Sequence, residues 1–184
     1  MDALSALHTR SSVARVSGTA PADSAIDNLF RAALRAPDHG QLRPWRFLRI
    51  EGQSLQKLAE LFAAAALQDD PALSVEEQQS AASKALRAPL IIASISRAAP
   101  HPKIPVPEQD LSAAAATHAI LLAAHAQGIG AIWRTGPMAS HPLITAALGI
   151  GENEKIIGFL YVGQPKGAPR PLRELNVSDF VKSW

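Results

Sequence analysis

The stretch LSAAAATHAILLAAHAQGIGAIW, residues 111–133, decides the architecture of this chain. It is nearly long enough to span a bilayer, which takes about 20 apolar residues. However, His118, His125 and Gln127 lie within it, and most of its apolar residues are alanine. A helix that is apolar on all sides is usually the buried central helix of a soluble fold. We therefore predict such a helix, ended by Gly128 and followed at once by a short strand.

Helices and strands alternate on both sides of this stretch. Apolar residues at helical spacing predict helices over residues 2–10, 22–36, 54–67, 74–88, 108–127 and 140–148. Alternating or continuous apolar runs predict strands over residues 45–50, 90–96, 128–134 and 155–163. The predicted N-terminal caps are Asp23 or Ser24, Ser54, and Ser74 with Glu77 in capping-box spacing. This order of elements predicts an α+β sandwich, with four or five strands covered by helices.

Composition narrows the class of protein. The chain has 184 residues, of which 47% are hydrophobic and 18% are charged, so we expect one globular domain. A net charge of +2 without basic runs argues against nucleic-acid binding. The absence of cysteine excludes disulfides and thiolate chemistry and fits a reducing compartment. With no signal peptide visible at the start, we expect a cytoplasmic protein without membrane association.

Most motifs that carry chemistry are missing from the sequence. It contains no phosphate-binding loop, no dinucleotide fingerprint after a strand and no nucleophile elbow. His118 and His125 could share a helix face, but without a carboxylate they are more typical of a core or an interface than of a metal site. We expect no metal. If the protein is an enzyme, a cofactor should supply the difficult chemistry.

Two clusters of cationic and polar residues could bind an anionic cofactor. Arg10, Ser11 and Ser12 follow the first helix, and an arginine with two hydroxyls can hold a phosphate. The alternative is an ordinary helix end that carries a cation. Arg35 and His39 lie in the second cluster, RAPDHGQLRPWRFLRI, residues 35–50. Here the alternative is a helix terminus followed by a proline-containing turn.

A third cluster, Trp133-Arg134-Thr135-Gly136, ends the strand that follows the central helix. Ligand groups often gather beyond the ends of strands, and glycine lets a ligand approach the backbone closely. The alternative is a strand end with a buried tryptophan.

Five stretches, taken together, resemble a known family. They are MDAL…RSSVAR, RAPDHGQLRPWRF, RAPLII, HAQGIGAIWRTG and KIIGFLYVGQP, and they cover most of residues 1–165. Their order and spacing resemble the FMN-dependent nitroreductase family, and most closely its small branch, the NAD(P)H nitroreductases of the YdjA type. No single stretch is specific, whereas the combination is.

The resemblance implies a fold, an activity and an assembly. The fold would be a three-layer α/β/α sandwich with a mixed, mainly antiparallel sheet in an intertwined homodimer. The activity would be a ping-pong hydride transfer from NADH or NADPH, through FMN, to a nitroaromatic, quinone or similar small acceptor. The flavin would carry the chemistry, so no catalytic side chain is implied. Residues 1–184 would form one domain, with residues 165–184 a tail that packs on the partner subunit.

The resemblance also implies which residues bind. One subunit would lend Arg10, Ser11 and Ser12 to the flavin phosphate and ribityl chain. Arg35 and His39 would line the same site, and Trp133, Arg134 and Thr135 would lie along the ring. The nicotinamide nucleotide would be bordered by Ala123, Ala124, His125, Ala126, Gln127 and Gly128.

Three positions depart from the pattern of the family. Ser11 stands where a second arginine is usual, Asp38 where a serine is usual, and Arg43 where glutamine is frequent. Asp38 and Arg43 could repel or block substrates, which motivates a second hypothesis of a flavin carrier or sensor with little turnover. A third hypothesis is a cofactor-free helical interaction module, but it leaves the three clusters unexplained.

Overall fold

The computed structural model describes residues 1–167 and 171–184. Within these ranges the chain forms six α-helices, five strands and four short 3-10 turns. The elements in chain order are α1 (Ala3–Thr9), β1 (Val16–Ser17), α2 (Asp23–Ala33), β2 (Trp45–Glu51), α3 (Gln53–Asp69), α4 (Val75–Ser83), β3 (Leu90–Arg97), α5 (Val106–Ala126), β4 (Gly130–Arg134), α6 (Pro142–Ala147) and β5 (Glu154–Pro165). The predicted helices and strands are therefore confirmed.

Strand β5 organises the sheet. One of its edges pairs with β3, which in turn pairs with β2. Its other edge pairs first with β4, over residues 159–163, and then with β1, over residues 164–165. The four pairings within the described residues are all antiparallel. The prediction of a mainly antiparallel sheet in an α+β fold is confirmed.

Helices cover both faces of the sheet and make three layers. Successive residues of a strand point to opposite faces, so Ile91 and Ile92 of β3 lie in different cores. Helix α3 packs on the face that contains Ile91, and α2 and α5 pack on the face that contains Ile92. Ile120, in the middle of α5, is fully buried. Among the described residues, no helix combines the length and the hydropathy that a membrane crossing requires.

Two of the predicted helix caps are wrong. Asp23 is already the first residue of α2, and Ala22 occupies the cap position without a side-chain hydrogen bond. Helix α3 begins directly after β2, and its cap is Gly52, with φ 56°, rather than Ser54. The connection consists of this one residue, so the chain must reverse at the cap itself, and a glycine adopts the required left-handed conformation with little strain.

The predicted cap of α4 is confirmed, and the predicted start of α5 is close to the observed one. Ser74 and Glu77 form the predicted capping box, because each side chain accepts a hydrogen bond from the backbone N–H of the other. Helix α5 begins at Val106, two residues earlier than predicted. Pro107 lies in its first turn, where a missing N–H costs no helical hydrogen bond.

An ion pair between Arg46 and Glu154 joins strand β2 to the start of β5. Glu154 accepts hydrogen bonds from Arg46 Nε at 2.8 Å and Nη2 at 2.6 Å, and Arg97 lies 3.4 Å away. The N–H of Gly151 also donates to this carboxylate, at 3.1 Å. These partners, led by Arg46, lower the pKa of Glu154 to about 2.

Replacing Glu154 by Gln is expected to lower the free energy of unfolding by about 2 kcal/mol at pH 7, after allowance for solvent screening. The depressed pKa of the folded state makes this stabilisation fully present above the ordinary value of 4.5 and removes it as the pH falls toward 2. Urea unfolding should therefore show a difference between the two proteins that shrinks below pH 4.5. The exposed Glu152→Gln change is the control, and an equal loss there would contradict the prediction.

Candidate functional site

The first predicted cluster lies beside the start of β4. Helix α1 ends at Thr9, and Arg10 is its half-buried C-cap. The chain continues past Ser12, and the N–H of Val13 donates to the carbonyl oxygen of Ala131 at 2.9 Å. This hydrogen bond aligns residues 10–13 with the edge of the sheet.

A cleft of about 770 Å³ opens between this N-terminal segment, the end of α5 and the end of β5. We call it the N-terminal cleft. Its polar lining residues are Thr9, Ser11, Ser12, Arg15, His125 and Lys166. Two predicted sets of residues therefore meet here: the hydroxyls of the first cluster, and His125 with Gly128 from the segment predicted to border the nicotinamide nucleotide.

His125 joins the ends of α1 and α5. Its Nε2 lies 2.9 Å from the hydroxyl oxygen of Thr9, and that hydroxyl donates its proton to the carbonyl oxygen of Ser5 at 2.6 Å. Nε2 must therefore be the donor to Thr9. In the neutral ring this leaves the lone pair on Nδ1. The two helix ends that border the N-terminal cleft are thus held together by one imidazole.

The turn after α2 is held by Asp38. Its two carboxylate oxygens accept the backbone N–H groups of Leu42, at 3.2 Å, and Arg43, at 2.7 Å. Gln41 and Arg43 have φ of 55° and 49°, which are uncommon values for residues with side chains. Asp38 therefore stabilises a strained turn, and its charge is directed at the backbone.

His39 lies at the N-terminal end of α5. Its Nδ1 donates to Glu108 Oε2 at 2.9 Å, and both side chains are about half exposed. Arg35 lines a different surface feature, an apolar groove of about 650 Å³ between α1, α2 and α5. Ala123 and Ala126 line the same groove, so the predicted nicotinamide segment is divided between two concave surfaces.

The third cluster lies at the far end of β4. The indole of Trp133 packs over Gly158 of β5, and its Nε1 donates to the carbonyl oxygen of Ile157 at 3.2 Å. A Cβ at Gly158 would collide with this indole, which explains the glycine. Beyond Trp133, Thr135 is exposed and the backbone turns at Gly136.

Arg134 has the one buried side-chain nitrogen in the described residues that lacks a hydrogen-bond partner, its Nε. Its guanidinium lies 5.6 Å from the centroid of the Tyr161 ring, an arrangement typical of a cation–π contact. Burial raises the pKa of the Tyr161 hydroxyl. A buried donor without a partner is costly, so this Nε needs an explanation, and a functional role of Arg134 would provide one.

Comparison with known proteins identifies the family. The family model described as "Nitroreductase family" matches residues 7–164. The chain belongs to the nitroreductase family. It is 40% identical over 169 residues to a protein of Escherichia coli (strain K12) named "Putative NAD(P)H nitroreductase YdjA", and the match covers 90% of each chain. As a member, this nitroreductase is an oxidoreductase.

Solved structures confirm the fold of this nitroreductase. A nitroreductase-like family protein from Bacillus cereus superposes with a TM-score of 0.82 at 21% identity, over 98% of this chain and 94% of the other. A nitroreductase from Bacteroides fragilis NCTC 9343, solved with bound FMN, superposes with a TM-score of 0.74 at 19% identity, over 98% and 97% of the two chains. At these identities the likeness concerns the fold alone.

A single chain of this nitroreductase does not bring all predicted site residues together. The first and third clusters flank β4 and are roughly 10 Å apart along it. The first cluster and His39 of the second lie at opposite ends of α5, since Thr9 contacts His125 and His39 contacts Glu108, whereas Arg35 lines the apolar groove beside α1. These two positions on the helix are about 25 Å apart.

Lys166, a cation that lines the N-terminal cleft, was not among the site residues predicted from the sequence. Lys166 follows β5, and its backbone N–H donates to the carbonyl oxygen of Arg15 at 3.0 Å. The signal was weak, because a lone lysine between glycines and prolines is typical of any surface turn. Only the pairing of β5 with β1 brings it beside Arg15 and the serines of this nitroreductase.

Proposed function

We propose that this nitroreductase is an FMN-dependent homodimer that uses NADH or NADPH to reduce nitroaromatic, quinone or similar small acceptors by a ping-pong mechanism. Support comes from membership of the family and from the FMN bound in the solved Bacteroides fragilis relative. The name of the Escherichia coli relative adds NAD(P)H as the reductant.

The residues fit FMN by their chemistry. Ser11 and Ser12 line a cleft whose described lining includes no carboxylate, and Arg10 directly precedes them in the chain, which suits an anionic phosphate group. At the other end of β4, Arg134 has a buried Nε that lacks a partner within the described residues. A positive charge or donor near a flavin ring stabilises its reduced, anionic form.

FMN, when bound, supplies the hydride chemistry that no side chain of this protein offers. We assign Arg10, Ser11 and Ser12 to its phosphate and ribityl chain. Trp133, Arg134 and Thr135 would border the ring, with backbone N–H groups near Thr135 as donors. Because Nδ1 of His39 donates to Glu108, Nε2 has the lone pair in the neutral ring, and it would deliver a proton to the acceptor from the imidazolium form. Water is the alternative proton donor.

The observation that carries the homodimer is the separation along α5. His39 lies about 25 Å from the first cluster as measured along the helix, so one chain alone offers the two no common ligand. In a two-fold symmetric dimer, the second cluster of one chain can meet the first and third clusters of its partner. The proposed site is therefore shared between subunits.

The contacts of Asp38 weaken one of the two reasons for the hypothesis of a flavin carrier or sensor, namely that the charge of Asp38 repels substrates. Asp38 directs both carboxylate oxygens at backbone N–H groups, so its charge is offset within the turn. Arg43, the other departure from the pattern of the family, is exposed and positively charged, which does not hinder neutral or anionic acceptors. Steady-state oxidation of NADPH with a quinone separates the hypotheses, because a carrier would show no sustained turnover.

The proposal predicts that the purified protein is yellow and that NAD(P)H bleaches its flavin absorption in the absence of air. Adding a quinone should restore the absorption, because the acceptor takes the hydride in a second half-reaction. The measurement is an anaerobic absorption spectrum, with free FMN as the control for direct reduction. A colourless protein that ignores added FMN would refute the proposal.

We place this activity in the cytoplasm, which suits a chain without cysteine. Cell fractionation followed by immunoblotting tests the location, and recovery in a membrane or secreted fraction would contradict it.

A further inference from the structure

Two cations face each other on the wall of the N-terminal cleft. Arg15 and Lys166 both line it, and the hydrogen bond from Lys166 N–H to the Arg15 carbonyl oxygen places them opposite each other beyond the β1–β5 pairing. They come from distant parts of the sequence, so their juxtaposition is a product of the sheet. Both residues are exposed, and neither makes an ion pair within the described residues.

The cleft holds more than a single phosphate group needs. Its volume of about 770 Å³ lies in the range of pockets that bind whole small molecules. It also contains His125 and Gly128, which belong to the segment assigned to the nicotinamide nucleotide. Its described lining residues include no aspartate or glutamate, the residue types that bind the free 2′-hydroxyl of NADH in dinucleotide sites.

NADPH differs from NADH only by a phosphate on the 2′-oxygen of its adenosine ribose. A guanidinium paired with an ammonium matches the charge and geometry of such a phosphomonoester. We infer that Arg15 and Lys166 bind the 2′-phosphate of NADPH and make this enzyme prefer NADPH over NADH. The inference rests on the proposed function and names the coenzyme that the proposed function leaves open.

Replacing both residues, Arg15→Gln and Lys166→Gln, tests the inference in the full-length holoenzyme. The value of kcat/KM for NADPH is expected to fall roughly tenfold to a hundredfold, because charge-assisted hydrogen bonds are lost. The value for NADH is expected to stay within about twofold, since NADH has no 2′-phosphate. The matched control is Lys57→Gln with Lys84→Gln, which removes two exposed cations, one in α3 and one in the 3-10 turn after α4, and should leave both values unchanged.

Binding of FMN distinguishes the other role these cations could have. If they held the phosphate of FMN instead, the dissociation constant of FMN would rise in the double variant and turnover with both coenzymes would fall together. Fluorescence titration of the apoprotein with FMN measures this directly. A parallel loss for NADH and NADPH, or a wild-type preference for NADH, would overturn the inference.

A binding experiment keeps the test independent of turnover. Calorimetric titration with adenosine 2′,5′-bisphosphate should give tighter binding to the wild-type protein than to the double variant, whereas adenosine 5′-monophosphate should not distinguish them. Equal binding of the bisphosphate to both proteins would overturn the inference even if the enzyme proved inactive. Inactivity with a bisphosphate difference would instead count against the proposed function alone.

Discussion

A dimer built from two complementary defective chains is expected to regain about half of the wild-type activity and to bind one FMN. One chain carries Arg10→Ala with Ser12→Ala, and the other carries Arg35→Ala with His39→Ala. Each homodimer of these variants should be nearly inactive, because every site contains a defect. In the mixed dimer both defects fall in one site, and the second site is assembled from the two intact halves.

The physical reason is the length of α5. The contacts of Thr9 with His125 and of His39 with Glu108 lie about 25 Å apart on this helix. Residues at its two ends can share one flavin only if different chains supply them. The experiment needs two distinct affinity tags to isolate mixed dimers, followed by flavin quantification and NADPH oxidation with a quinone.

The control is a mixed dimer in which both defects are on the same chain and the partner is wild type. Each of its sites then lacks one half, so it should be nearly inactive although it contains one intact chain. If this control retains half the activity and the complementary pair shows none, each site lies within one chain and the shared-site proposal is wrong.

Removal of residues 171–184 is expected to weaken the dimer by roughly a hundredfold or more in dissociation constant. All residues of this tail are exposed in the single chain, including Leu175 at 70%, Phe180 at 72% and Trp184 at 119%. Large apolar side chains so exposed usually mark an interaction surface. A partner subunit that buried them would gain about 1.5–3 kcal/mol for each.

Analytical ultracentrifugation over a range of protein concentrations measures this effect, and thermal unfolding should show a lower midpoint for the shortened chain. A full-length variant with Phe180→Ser and Trp184→Ser separates apolar contact from chain length and should reproduce most of the loss. Arg173→Gln is the matched control within the tail. A shortened chain that stays dimeric and equally stable would refute the proposal that the tail packs on the partner.

The sequence predicted the elements and the faces of the sheet well, because these depend on local spacing. Alternation in β2 correctly separates Trp45 and Phe47 from Leu48 and Ile50, which pack on opposite faces. The helix caps were less accurate, because Gly52 lets β2 pass directly into α3 and makes a serine cap unnecessary. The composition of a connection says little about the angle at which two elements meet.

The sequence indicated which residues could form the site but not how these residues are arranged in space. Its candidates could be found because cations and hydroxyls next to helix and strand ends suit an anionic cofactor. Their grouping could not, because Asp38 binds the backbone of its own turn and Lys166 reaches Arg15 only through the sheet. Such contacts depend on pairings between distant segments.

By itself, the sequence determined that this chain folds as four or five strands covered by helices, and its ordered motifs resemble those of the nitroreductase family, which implied a mainly antiparallel sheet. Periodicity and short motifs are local properties, so they can be recognised in one dimension. Only the tertiary structure decided that the first and third clusters flank one strand while His39 lies at the opposite end of α5. That separation is set by the length and burial of a single helix, whose ends hold different parts of the chain about 25 Å apart.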